Sequence, residues 1–158
     1  MTGADIWVLD LRSRERRAVV RTLFDESYAR FSPDGRWLAY MSNESGRWEV
    51  FIRAVDGSRP RVQVSVGGGA GPCWSVDGRT LYFSTDGHAA AVAVQTSPAL
   101  SVSSPLAMPG RDDLQLAGGR ADLHRVLMRQ SGVAPARREL RVVLEWFSEL
   151  TRLVRLPA

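Results

Sequence analysis

The stretch Phe31-Ser32-Pro33-Asp34-Gly35-Arg36-Trp37-Leu38-Ala39-Tyr40 returns as Trp74-Ser75-Val76-Asp77-Gly78-Arg79-Thr80-Leu81-Tyr82-Phe83, and this echo decides the fold. The two Asp-Gly pairs stand 43 residues apart. A separate segment keeps nearly the same step. Asp5-Ile6-Trp7-Val8-Leu9-Asp10-Leu11 is matched 44 residues later by Glu49-Val50-Phe51-Ile52-Arg53-Ala54-Val55. Two independent segments sharing one period outweigh a single motif match. A third, worn copy is read from Leu116-Ala117-Gly118-Gly119 into Leu123-His124-Arg125-Val126-Leu127-Met128. It lacks the Asp-Gly turn, as terminal repeats often do.

A step of about 40–45 residues is that of the blades of a β-propeller, and the local chemistry agrees. In Ser32-Pro33-Asp34-Gly35, proline presets φ at the second turn position. Asp can bond its own backbone, and Gly supplies the left-handed conformation that closes the turn. Aromatic and β-branched residues on either side favour strands. Arg36-Trp37-Leu38-Ala39-Tyr40-Met41 is too apolar for a strand with one wet face, so it is expected to be buried between neighbouring blades. Further hairpins are expected near Asn43-Glu44-Ser45-Gly46 and Asp56-Gly57-Ser58. The expected fold is all-β: about three and a half blades of four short antiparallel strands, forming part of a propeller.

The blades are expected at residues 1–27 (incomplete), 28–70, 71–110 and 111–145 (degenerate). Residues 139–145 alternate partly like a strand. Beyond them Trp146, Phe147, Leu150, Leu153 and Val154 recur at helical spacing, which predicts a short amphipathic helix within residues 146–158. Pro157 limits its extension. The helix is expected to pack on the last blade; the functional alternative is a docking helix for a partner.

The 158 residues are 44% hydrophobic and 24% charged, an ordinary globular composition. No stretch approaches the roughly 18 apolar residues of a spanning helix, and the first residues do not read as a signal peptide. Compartment stays open: periplasmic or extracytoplasmic if a parent protein is exported or anchored. The net charge is +4 and every basic side chain is Arg, which excludes Lys nucleophiles and Schiff bases. The arginines form no face interleaved with aromatics, so nucleic-acid binding is not expected. The lone Cys73 lies beside Trp74 in an apolar run and reads as a small buried hydrophobe.

Catalytic and metal motifs find little material. The Gly67-Gly68-Gly69-Ala70-Gly71 run is followed by Pro72 and a strand, not by the Gly-Lys-Ser/Thr and helix of a phosphate-binding loop, and reads as an inter-blade link. No Gly-x-Ser-x-Gly elbow occurs, and Ser32 and Ser75 suffice as turn caps. His88 and His124 lie in different repeat contexts and Asp112-Asp113 reads as a solvated pair, so neither a metal nor a cofactor is expected. Asn43-Glu44-Ser45 fits the glycosylation pattern, a signal with many false positives.

With these residues in view, the Phe-Ser-Pro-Asp-Gly-Arg and Trp-Ser-Val-Asp-Gly-Arg motifs resemble the repeat signature of TolB-like, or WD-like, bacterial propellers. The lead-in Gly67 to Ser75 resembles their Gly-Gly…Pro-x-Trp-Ser pattern. Leu81-Tyr82-Phe83-Ser84, Ala91-Val92-Ala93-Val94 and the closing Leu144-Glu145-Trp146-Phe147-Ser148-Glu149-Leu150 resemble the last blades of propellers fused to serine/threonine kinase or winged-helix regulator domains. Val76 departs from the pattern, which usually has Pro there. No kinase element is present: no Gly-rich loop with a strand Lys, no His-Arg-Asp and no Asp-Phe-Gly.

The resemblance implies a non-catalytic scaffold for a protein partner or small ligand. Its structural motif residues are Phe31, Ser32, Pro33, Asp34, Gly35, Trp74, Ser75, Asp77 and Gly78. About three and a half blades do not close a ring, since propellers have about four to eight. The expectation is therefore a C-terminal fragment of a larger sensory or signalling protein, or self-association that completes the ring. The alternatives are the sensor portion of a kinase or transcription regulator and, less favoured, a propeller hydrolase or lyase.

Overall fold

The computed structural model describes residues 3–108 and, in backbone, two further strands, Leu114–Leu116 and Met128–Gln130. The helix expected within residues 146–158, with Trp146, Phe147, Leu150 and Leu153, lies outside the described residues, as do His124, Asp112 and Asp113. The described strands form antiparallel sheets. β1 (Ile6–Leu9) pairs with β2 (Arg16–Val20). β3 (Glu26–Phe31), β4 (Trp37–Ser42), β5 (Glu49–Ala54) and β6 (Val62–Gln63) make a four-stranded meander in sequence order.

The next sheet repeats the plan with β7 (Ala70–Trp74), β8 (Thr80–Thr85) and β9 (His88–Gln95). Its fourth position is shared by two short strands on the edge of β9. β10 (Ser101–Val102) pairs with Gln95 and Val94, and β11 (Leu106–Ala107) with Ala91 and Ala90. The strands Leu114–Leu116 and Met128–Gln130, β12 and β13, pair with each other.

The central strands are buried on both faces. Every residue of β4 is buried, and its alternation divides the core. Trp37, Ala39 and Met41 face Trp74, Leu81 and Phe83 of the next sheet. Leu38 and Tyr40 face Ile6, Val19 and Val20 of the preceding one. Each such aliphatic side chain contributes about 1.5–3 kcal/mol by leaving water. Stacking of Tyr40 on Phe51, with ring centroids 5.7 Å apart, adds a further aromatic contact across β4 and β5.

The repeat survives in individual bonds. The Gly69 amide donates to the Trp48 carbonyl (2.8 Å), and one repeat earlier the Glu26 amide donates to the Ala4 carbonyl (2.7 Å). Each bond fastens the first strand of a sheet to the third-strand region of the one before. A Trp74 Nε1–H to Arg30 carbonyl bond (3.2 Å) ties β7 to β3 directly.

Because the strands alternate in direction, the connections sort onto two faces. One face carries the β2–β3 and β6–β7 links and the β4–β5 and β8–β9 turns. The opposite face carries the β1–β2, β3–β4, β5–β6, β7–β8 and β9–β10 turns.

Candidate functional site

The motif residues build turns. The Gly35 amide bonds the Ser32 carbonyl and Gly35 sits at φ 72°; the Gly78 amide bonds the Ser75 carbonyl, also at φ 72°. Ser32 Oγ donates to Asp34 Oδ1 (2.5 Å) and accepts from the Trp37 amide (2.9 Å). Ser75 does the same with Asp77 (2.6 Å) and the Thr80 amide (2.9 Å). Asp34 also accepts from the Arg36 amide (3.1 Å). Burial opposes ionisation of Asp34, but the Ser32 hydroxyl and the Arg36 amide outweigh it and hold the carboxyl below its usual range. Pro33 comes near the other turn: a Cβ on Gly78 would stand 3.4 Å from its Cδ.

Phe31 and Trp74 close equivalent first strands with different burial. Trp74 packs on the preceding four-stranded sheet and is buried, whereas Phe31 is half exposed beside the two-stranded one. Cys73 is buried. His88 is exposed at the start of β9.

The glycine run has an occupant. The amides of Gly67 and Gly68 both donate to Glu49 Oε1 at 2.9 Å, and Ser65 Oγ donates to Glu49 Oε2. Ser65 Oγ in turn accepts from the Val50 amide (2.8 Å). Glu49 is almost fully buried, so the loop's anion-binding amides serve a carboxylate of the protein itself. One repeat earlier the corresponding acid is Asp5, whose Oδ2 meets Arg21 Nε at 3.6 Å. Beside it Glu26 is 3% exposed and accepts from Thr22 Oγ1. Desolvation pushes the Glu26 carboxyl above its ordinary value, against the Thr22 bond and with the help of the Asp5 and Glu44 charges.

Above this framework lies an open cleft of about 520 Å³ between the two larger sheets. Its walls include Tyr28, Met41, Trp48, Gly68, Thr85 and Asp86. Thr85 Oγ1 donates to the Gly68 carbonyl (2.7 Å), fixing one rim. Tyr28 is 63% exposed and sits at φ 51°, at the register shift of β3 against β4. The same shift in β7 is made by Gly71 at φ 61°. An aromatic side chain thus occupies a left-handed position that glycine fills one repeat later, a conformation that costs an L-residue about 1–2 kcal/mol. Exposed Leu23, Phe24 and Val66 lie in the links on this same face, with Trp48 in the neighbouring turn.

Tyr28, Trp48 and Glu49 were not singled out from sequence. Laying residues 28 and 71 on the 43-residue frame exposes the Tyr-for-Gly exchange. The partners of Glu49 arise only when the loop folds over β5.

Among the described residues no group of three or more His, Cys, Asp or Glu is placed to hold a metal ion, and no helix is long and apolar enough to cross a membrane. No protein-family model matches the sequence. The structure is similar to TolB from Acinetobacter baumannii, at 18% identity and TM-score 0.56, over 78% of this chain and 31% of that one. It is similar also to a protein described as TolB from Agrobacterium tumefaciens, at 16% identity and TM-score 0.52, over 82% of this chain and 51% of that one. The chain thus spans less than a third and about half of these two proteins' lengths. Repeat, sheet topology and these likenesses together give the chain the fold of a TolB-like β-propeller, of which its described sheets form a part.

Proposed function

We propose that this chain is a non-catalytic propeller scaffold that binds a protein partner on the face bearing the β2–β3 and β6–β7 links. The observation that carries the reading is Tyr28. An exposed aromatic held at φ 51° beside an open cleft is a costly arrangement that folding does not require, since Gly71 makes the same bulge without it. Leu23, Phe24, Trp48 and Val66 surround it with exposed apolar surface, and aromatic anchors amid such surface are the usual centre of a protein interface. In this reading residues 28–70 and 71–110 act as two blades, residues 1–27 and 111–145 belong to an incomplete and a degenerate one, and the motif residues shape turns.

The test is selection of peptides from a displayed library on the purified chain, followed by hydrogen-exchange mapping of a selected peptide. Protection should centre on residues 23–28, 48 and 66–71. Tyr28→Gly with Trp48→Ala should weaken binding at least tenfold, the scale of interface hot spots. Protection confined to the opposite face, or unchanged binding by the double variant, overturns the reading.

A further inference from the structure

We infer that the opposite face carries a second site, a groove that binds the phosphate group of a small molecule; it goes beyond the protein-binding reading and does not depend on it. The turns of that face and the adjoining start of β2 hold Arg12, Arg14, Arg17, Arg36, Arg59 and Arg79 together with Asp10, Asp34, Asp56 and Asp77. The four aspartates have oxygens committed within their own turns. Asp10 accepts from the Arg12 and Ser13 amides, and Asp34 from Ser32 and Arg36. Asp56 accepts from the Ser58 amide, and Asp77 from Ser75 and Arg79. Each aspartate thus spends one carboxylate oxygen on its own turn, while the Asp56 charge also acts on Arg17. The ion pair of Arg36 Nε with Asp34 Oδ2 is loose at 3.7 Å, with the Arg36 side chain 82% exposed.

Three of these arginines border one groove of about 420 Å³. Arg17 Nη1 donates to the Val55 carbonyl and Arg59 Nη1 to the Pro98 carbonyl, each at 2.8 Å. Main-chain oxygens therefore tether both guanidinium groups while each keeps further N–H donors. Arg36, Ser58, Thr96 and Ser97 also line the groove, with Asp56 as an acid on its wall. Forked guanidinium donors and hydroxyls arriving from four sequence segments suit a tetrahedral dianion with three terminal oxygens better than a planar carboxylate. The groove's size suits a small-molecule phosphate; a lipid headgroup offers the same chemistry, and the experiment separates the two.

The full chain is titrated calorimetrically with inorganic phosphate and pyrophosphate, and sedimented with phosphatidic-acid vesicles. Saturable binding of the soluble phosphates is expected, weakened about tenfold by Arg36→Ala and further by Arg36→Ala with Arg59→Ala. Thermal unfolding of the Arg36→Ala protein, measured alongside, should match the parent because that side chain is exposed. Binding to vesicles but to neither soluble anion would overturn the small-molecule assignment in favour of a headgroup. Binding to none of the three, or binding indifferent to both arginine variants, would overturn the site itself.

Discussion

Tyr28 and Gly71 occupy the same bulge of successive sheets, 43 residues apart, at φ 51° and 61°. The backbone need is the same at both places, and only Gly71 meets it without steric cost. Replacing Tyr28 by Gly should therefore leave stability unchanged or raise it by up to about 1 kcal/mol, the relief of strain being offset by added chain entropy. Urea unfolding measures it. A loss of more than that would show that the Tyr28 ring supports the fold and is not held for binding.

Gly71→Ala is the reciprocal experiment. A side chain at φ 61° without compensating contacts should lower stability by about 1 kcal/mol. The same denaturation series reads both variants: Gly71→Ala should lose stability, and Tyr28→Gly should not.

Glu49→Gln should be strongly destabilising. The carboxylate satisfies the Gly67 and Gly68 amides and the Ser65 hydroxyl at once, and the amide of Gln presents a donor where Ser65 Oγ already donates. Loss of about 1–3 kcal/mol is expected for each buried group left unpaired. Hydrogen exchange should show the link at residues 65–69 opening first. An unchanged midpoint would mean that the loop is held by other contacts.

Glu26 makes stability depend on pH in a defined sense. Its carboxyl is raised in the folded state, so its contribution is fully present below the ordinary value of 4.5 and is lost as pH rises through the folded value. Glu26→Gln keeps an acceptor for Thr22 and removes the buried charge. The variant should be more stable than the parent at pH 7, with the difference shrinking as the pH falls through the raised folded value toward 4.5 and levelling off below it. Thermal melts across pH 3.5–7.5 (a range of about 4 units, spanning the window where linkage acts) decide it; a difference that grows toward acid would contradict the assignment.

Ser75→Ala tests the motif turn. The hydroxyl is buried, caps the Thr80 amide and holds Asp77, so its removal should cost about 1–2 kcal/mol. Ser32→Ala should cost a similar amount through the Trp37 amide. A cost near zero at either site would place the turn's stability in its Pro and Gly residues instead.

The sequence by itself determined the repeat, the strand class and the turns, because those rest on local rules. Ser-Pro-Asp-Gly presets its own dihedrals, and an apolar run such as residues 37–41 has no wet face to offer. Only the tertiary structure decided where the candidate sites lie. Tyr28 reads as an ordinary strand residue until the bulge forces φ positive. Glu49 reads only as the first residue of a repeated strand segment until residues 65–68 fold over it, for the donors that hold it are 16 to 19 residues away. The arginines at 17, 36 and 59 look scattered along the chain because alternating strand direction, a property of the assembled sheets, is what returns their turns to one face. Local geometry is written in neighbouring residues, while convergence of distant side chains exists only once the sheets have packed.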